Sequence, residues 1–501
     1  MDRIGIIDLG SNSVRLVIID IKENGAHHQI ENLKESVRLR SGTDAEGFLT
    51  EEGINSAAEM LSLFVRFCHA RNVKQIIAVA TAAVRRAPNR AALINRIAQD
   101  TGVTIQVLSS EEEAYLGYIG LVNSVTESFG LMADLGGGAL KLVGFKERLN
   151  QNTTTLDFGS VSLMEKYGLQ DRPSPDSLRA LEAFLDETFS RITWLPNYPR
   201  LMGLGGSFRS LARVYRHHVN YVPDVTHGIH IPAEAVEEIY TMLSRMDLKQ
   251  RRQIPGLEQD RADLSVTGFG IIHHLLKATG GKELMVSASS LRDGLFYKHT
   301  YPRDPILFSV LTHHIHNLID YHNLDENHLR RVSNLAVILF DQLAPLHNLG
   351  SHERRLLLIA GLLHELGAVI SVENIEKHTL YAVLNSPLLG LSQRERVSAA
   401  YLAASHDGLI QTNVKNYVEN GPIKEEDIIS IQKLAPLLQI AHSLDRSRTG
   451  VVTSLQANLT PEVCELRVFG TQKRDLEIRD ARRRAEMFQE VYGVELRIVQ
   501  G

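Results

Sequence analysis

Residues Asp8–Val17 read DLGSNSVRLV, and residues Asp134–Val143 read DLGGGALKLV. The second stretch starts 126 residues after the first and aligns with it without a gap. Asp, Leu and Gly coincide at the front and Leu and Val at the back, and Arg15 falls opposite Lys141. Each copy is an apolar run, an aspartate, a turn of glycine or small polar residues, and a second apolar run. That pattern predicts strand, tight turn, strand. Its recurrence predicts two similar domains facing each other, which limits the fold more than any other feature of the chain.

The intervening segments agree. QIIAVATAAV predicts a strand entering a Thr/Ala turn, PNRAALINRIAQDTG an amphipathic helix ending at Gly102, VTIQVLS a strand, and SSEEEAYLGYIGLVNSV a helix with a capped start. Strands alternating with helices argue for an α/β fold. Beyond Lys146 the expectation is a strand-like TTTLDFGSVSLMEKY, a helix near Ser177–Ile192, the strand RLMGLGG, helices to about Gly280, then a last strand and short helix in LMVSASSLRDGLFY. After YPRDP (Tyr301–Pro305) the texture becomes helical and rich in histidine as far as about Arg448. The tail from Thr449 predicts a β-α-β cap.

With 501 residues the chain is too long for a single core. Cys68 and Cys464 make no disulfide framework and no metal spacing, which suits a reducing cytoplasm. LLLIAGLLHELGAVI is interrupted by His364 and Glu365, so no membrane helix or membrane partner is expected, and MDRIGIIDLG does not read as a signal peptide. A net charge of −5 makes duplex nucleic acid a poor partner, and a polyanion would need a locally basic groove.

The turns suit such a polyanion. Amides in a Gly-rich turn can meet phosphate oxygens without side-chain bulk, and an aspartate at a strand end can hold Mg2+. Asp8 with Gly10, Ser11, Asn12 and Ser13 would grip one side, and Asp134 with Gly136, Gly137 and Gly138 the other. GLGGSF (Gly203–Phe208), with Gly205, Gly206 and Ser207, is a third such loop, placed before a helix. Gly, Asn and Asp also dominate hairpins for conformational reasons alone, but two aligned copies and a third loop favour a site.

In the order IGIIDLGSNSVRLVI, VATAAVRRAPN, LSSEEEAYLGY, ADLGGGALKLV, GLGGSFRSLARV and SLRDGLFY, the chain resembles the exopolyphosphatase / guanosine pentaphosphate phosphohydrolase family. The resemblance implies the actin-like ATPase superfold. Ribonuclease-H-like domains are expected at 1–125 and 126–303, an all-α HD-like domain at 304–448 and a small α+β cap at 449–501. It also implies Mg2+ on Asp8 and Asp134, water attack on the terminal phosphate, a homodimer, and inorganic polyphosphate or guanosine polyphosphates as substrate. Glu113 matches the family's proposed base and Arg85 a phosphate-contacting arginine, and Arg209 is a weaker candidate of that kind. Bottom-up, Glu113 has a competing reading, since Ser110/Glu113 and Ser109/Glu112 both fit a capping box.

Lys141 departs from the family, which places an acid there. Three readings stand: the ammonium pairs with phosphate, or it converts the protein into a sensor that binds and cleaves poorly, or it points to solvent from a strand edge. A sugar or acetate kinase-like enzyme is less consistent, because no acceptor motif follows the first turn. In the helical half, His328, His364, Glu365 and His442 resemble an HD metal set with both aspartates changed, so metal ligands and buried core histidines compete. The expectation for Arg482, Arg483 and Arg484 is a solvated helix face partnered by Glu486 and Glu490, and His313–His316 reads as a helix start.

Overall fold

The computed structural model describes residues 2–37, 39, 46–408 and 414–501. The chain forms two compact units, Met1–Val310 and Leu311–Gly501.

Unit 1 carries two sheets. The first comprises β1 (Asp2–Leu9), β2 (Ser13–Ile21), β3 (His27–Ser36), β4 (Gln75–Ala80) and β5 (Ile105–Val107), in the order β3-β2-β1-β4-β5. The second comprises β6 (Phe129–Leu135), β7 (Leu140–Lys146), β8 (Leu149–Leu156), β9 (Leu201–Leu204), β10 (Ile229–Pro232) and β11 (Glu283–Val286), in the order β10-β11-β9-β6-β7-β8. In both, a three-stranded antiparallel meander continues into two parallel strands: β1 with β4 and β4 with β5, then β6 with β9 and β9 with β11. Apart from the added edge strand β10, the two sheets share one topology, a duplicated ribonuclease-H-like plan. Sequence explains the strand positions. In β1, Ile4, Ile6, Ile7 and Leu9 are buried, as a central strand covered on both faces requires. In β3, His27–Ser36 carries Lys34 and Glu35 and lies at an edge, where charge discourages further pairing.

Two helices matter for the site. Ser110–Val122 and Leu291–Thr300 approach closely through Gly120 and Gly294, where a Cβ would collide with the Ser290 and Leu116 carbonyl oxygens. This contact fixes Glu113 and Arg292, each near the start of its helix.

Unit 2 packs the helices Glu326–Gln342, Ser351–Leu363, Gln393–Ala404 and Glu425–Ser443 around an apolar core that includes Leu329, Val332, Leu357, Ala400 and Leu438. A sheet of β12 (Val452–Leu459), β13 (Val463–Gly470) and β14 (Glu495–Gln500) shares that core. No described helix is long and apolar enough to cross a membrane.

The structure differs from the sequence reading in five places. TTTLDFGSVSLMEKY is not one strand: β8 stops at Leu156 and Ser160–Tyr167 is helical, started by the Gly159 amide donating to Ser162 Oγ at 2.7 Å. The stretch read as helices to about Gly280 also contains a strand, β10, and the C-terminal cap begins with an additional strand, β12. The arginine triplet has other partners. Arg482 donates to the Ile498 carbonyl and Arg484 pairs with Asp407, both tertiary contacts, while Arg483 pairs locally with Asp480 three residues before it, so among the described residues none of the three uses Glu486 or Glu490. Lys141 is only 3% exposed, which removes the solvent-facing reading.

Candidate active site

The two hairpins adopt the same local geometry. In the first, the Gly10 amide donates to the Ser13 carbonyl at 3.0 Å; in the second, the Gly136 amide donates to the Ala139 carbonyl at 3.0 Å. Across the strands, Asp8 stands opposite Arg15 and Asp134 opposite Lys141. Each hairpin therefore offers one acid, one base and a tight turn at the same end of its sheet. The amides of Ser11, Asn12, Gly137 and Gly138 donate to nothing among the described residues and remain available to an anion. At the third loop Gly205 has φ +100°, and a Cβ there would stand 2.5 Å from the Leu135 carbonyl oxygen. Glycine is thus required where the helix Gly206–His218 begins, with its first amides directed at the site.

The three loops line one cleft. Asp8, Glu113 and Asp134 line it with Arg15, Lys141, Arg209, Arg261 and Arg292. Cations outnumber carboxylates five to three in a protein whose overall charge is −5. Gly10, Ser11, Asn12, Ser13, Gly136, Gly137, Gly138, Gly205, Gly206 and Ser207 line the same space.

Every carboxylate already faces a cation. Asp8 accepts from Arg292 Nη1 at 3.1 Å. Lys141 Nζ lies 2.5 Å from Glu113 Oε1 and 3.6 Å from Asp134 Oδ2. Glu113 Oε2 accepts from Arg85 Nη1 at 3.0 Å. Burial disfavours the charge on Glu113, but Lys141 and Arg85 outweigh it and hold the carboxyl below its ordinary value. Burial likewise opposes the Lys141 charge, while Asp134 and Glu113 together hold the ammonium above its usual value. Burial raises the Asp8 carboxyl, and Arg292 offsets only part of that.

The arginines are less well matched. Among the described residues, the side chains of Arg15 and Arg209 make no hydrogen bond or ion pair, and Arg292 Nε is buried without a partner. Burial, then Arg15, Arg292, Arg261 and Arg213, push the Arg209 guanidinium down to about 9. Burial and Arg292 push Arg15 down to about 10. Clustered, desolvated and mutually repelling donors of this kind are matched by a multivalent anion.

Glu112 closes the capping box with Ser109, its carboxylate accepting the Ser109 amide at 2.7 Å, which leaves Glu113 for the cleft. Arg85 does not line the cleft. It stands behind Glu113 and also donates to the Leu108 carbonyl at 2.9 Å. Arg15, Arg261 and Arg292 were not selected from sequence. Arg15 could have been, through its match to Lys141 in the repeat, and Arg292 through its place in SLRDGLFY. Arg261 has no local signature. The four candidate metal ligands of unit 2, His328, His364, Glu365 and His442, are brought together there.

The expected Mg2+ on Asp8 and Asp134 does not fit the side chains as they stand. Mg2+ asks for near-octahedral oxygen donors and retains waters. Here the Lys141 ammonium sits between Glu113 and Asp134, and Asp8 holds Arg292. Asp134 and Asp8 thus each already pair with a cation.

The profile of the Ppx/GppA phosphatase family matches residues 17–301, and that of its domain III matches residues 310–479. Among solved structures, an exopolyphosphatase from Cytophaga hutchinsonii is 26% identical with a TM-score of 0.56, covering 61% of this chain and 99% of its own. A Ppx/GppA family member from Aquifex aeolicus is 26% identical with a TM-score of 0.54, covering 60% and 99%. An exopolyphosphatase-like protein at 22% identity and a TM-score of 0.53, covering 59% and 96%, shares the fold.

Proposed function

The chain belongs to the Ppx/GppA phosphatase family, and from that premise we propose that the cleft binds the end of an inorganic polyphosphate chain, or the phosphates of a guanosine polyphosphate, and hydrolyses the terminal phosphoanhydride. The observation that carries this reading is the unpartnered arginine pair, Arg15 and Arg209, inside a cleft lined by free turn amides. A phosphate chain supplies closely spaced charge along its whole length, so it relieves several repelling guanidiniums at once.

Phosphoryl transfer asks mainly for positioning and neutralisation of charge on the transferred group. The three glycine loops and the arginines hold the chain. The Lys141 ammonium neutralises oxygens of the terminal phosphate, the task otherwise given to a metal. Glu113 is ionised and fixed on both sides by Lys141 and Arg85. Each carboxylate oxygen keeps a further lone pair, with which it can orient a water for in-line attack. Its lowered basicity makes it a water-orienting group first and a proton acceptor second.

That same contact supports a second reading, binding with little turnover, because the ammonium withdraws basicity from Glu113. One experiment separates them: phosphate release from long-chain polyphosphate by wild type, Glu113→Gln and Lys141→Glu, with binding measured in parallel. Release by wild type that disappears in Glu113→Gln supports the hydrolase. Tight binding by a silent wild type, with release gained in Lys141→Glu, establishes the sensor instead. Neither binding nor release by wild type refutes both.

A further inference from the structure

Unit 2 contains a convergence of imidazoles that the cleft chemistry does not use. His328, His364, Glu365 and His442 each present one ligand atom, and these atoms lie within 4.8 Å of one another. The residues are 1%, 0%, 6% and 7% exposed, so water does not solvate them. They come from separate elements: the helix Glu326–Gln342, the turn after Ser351–Leu363, and the helix Glu425–Ser443.

The surrounding hydrogen bonds set the tautomers. His364 Nδ1 lies 2.7 Å from the Gly361 carbonyl oxygen, which only accepts, so Nδ1 carries the proton and the Nε2 lone pair faces inward. His328 Nδ1 lies 2.8 Å from Asp445 Oδ2, a carboxylate that also accepts from Arg331 Nε at 2.9 Å. His328 Nε2 therefore also presents a lone pair; it is buried, has no hydrogen-bond partner, and points toward Glu365 Oε1 at 3.6 Å. A buried acceptor left unsatisfied is costly and calls for a reason. An imidazole held by a carboxylate or carbonyl on its outer nitrogen, with its inner nitrogen free, is the arrangement that orients metal ligands.

We propose that unit 2 holds a first-row transition-metal dication of the zinc class on His328 Nε2, His364 Nε2, His442 Nδ1 and the Glu365 carboxylate, as a closed structural centre. Three nitrogen donors and one oxygen favour such an ion over Mg2+ or Ca2+. Four buried protein ligands leave no open position for substrate, which is the mark of a structural site. Without the ion, His364 Nε2 and His442 Nδ1 share a proton across 3.1 Å. On binding, that proton moves to His442 Nε2, and two exposed arginines give way: Arg446, 3.4 Å from that atom, and Arg448, which pairs with Glu365 Oε1 and must release that oxygen to the ion. The proposal is independent of what the cleft of unit 1 hydrolyses.

The test uses the full chain, stripped with a chelator and titrated with cobalt(II), whose d–d absorption reports tetrahedral coordination without any assay of activity. One equivalent is expected to bind with visible absorption, and zinc is expected to displace it. In His442→Cys the same titration is expected to add a thiolate-to-cobalt charge-transfer band that the wild type, whose two cysteines are buried, does not show. Asp445→Asn, which weakens the support of His328 together with the Arg331 contact, is expected to weaken cobalt binding about 10–100-fold, whereas Arg331→Met, which leaves Asp445 on His328, is expected to change it far less. Absence of d–d absorption in wild type overturns the proposal. So does cobalt binding whose spectrum is unchanged in His442→Cys, because the ion would then sit elsewhere.

Discussion

Replacing Lys141 by methionine removes the ammonium while keeping most of the side-chain volume, and it tests whether that charge holds the two hairpin acids in place. The residue is 3% exposed, and its Nζ stands 2.5 Å from Glu113 and 3.6 Å from Asp134. Removing one member of a buried pair costs about 3–5 kcal/mol, because it strands the other charge. Here the lower end applies. Glu113 keeps Arg85 at 3.0 Å, and Asp134 has 19% side-chain exposure through which water can reach it. A loss of about 3 kcal/mol is more than a hundredfold, roughly, in the unfolding equilibrium of unit 1. The assay is urea denaturation followed by fluorescence of Trp194, the single tryptophan of the chain, which packs edge-on against Tyr198 within unit 1. A probe confined to one unit avoids treating the whole chain as two-state. The pH dependence follows from the same contacts. In the wild type the lowered Glu113 carboxyl contributes stability above its ordinary value of 4.5, lost as pH falls through the folded value. In Lys141→Met burial prevails, the folded value rises, and the penalty at neutral pH fades as the carboxyl protonates. The difference between the two proteins is therefore expected to shrink from pH 7 toward pH 4.5. A change below about 0.5 kcal/mol at pH 7, the size expected of an ordinary surface substitution, would refute the argument. So would a difference that does not vary with pH.

Other outcomes follow from the same geometry. Arg209→Met removes a guanidinium repelled by Arg15, Arg292 and Arg261, so it is expected to stabilise unit 1 by about 1 kcal/mol while weakening polyphosphate binding; denaturation and calorimetry together check this. Glu113→Gln is expected to lower phosphate release about 10²–10⁴-fold with polyphosphate affinity changed far less, as single-turnover release beside equilibrium binding would reveal. Gly205→Ala forces a side chain into φ +100° against the Leu135 carbonyl, and a cost of at least about 1–3 kcal/mol is expected in the Trp194 transition. Saturating polyphosphate, at about 100 times its dissociation constant, should stabilise unit 1 by about 2.7 kcal/mol, and this stabilisation should decline with added salt.

What the sequence determined by itself was local and duplicated. Ten residues around Asp8 and ten around Asp134 carry the apolar runs, the acid and the turn, and a hairpin is made from neighbours in the chain. Its register then places Arg15 and Lys141 opposite the two aspartates with no help from the rest of the molecule. The Gly-rich start of Gly206–His218 was legible for the same reason. Only the tertiary structure decided that Arg209, Arg261 and Arg292 meet Arg15 in one cleft, since these residues lie far apart in sequence and share no periodicity. The partner of Lys141 was also beyond local reading, because Glu113 comes from the helix Ser110–Val122, 28 residues earlier in the chain. The choice between cap and site for that glutamate rested on which of two adjacent carboxylates turned inward. Short-range pattern sets the elements, whereas the electrostatic character of the cleft comes from how they pack.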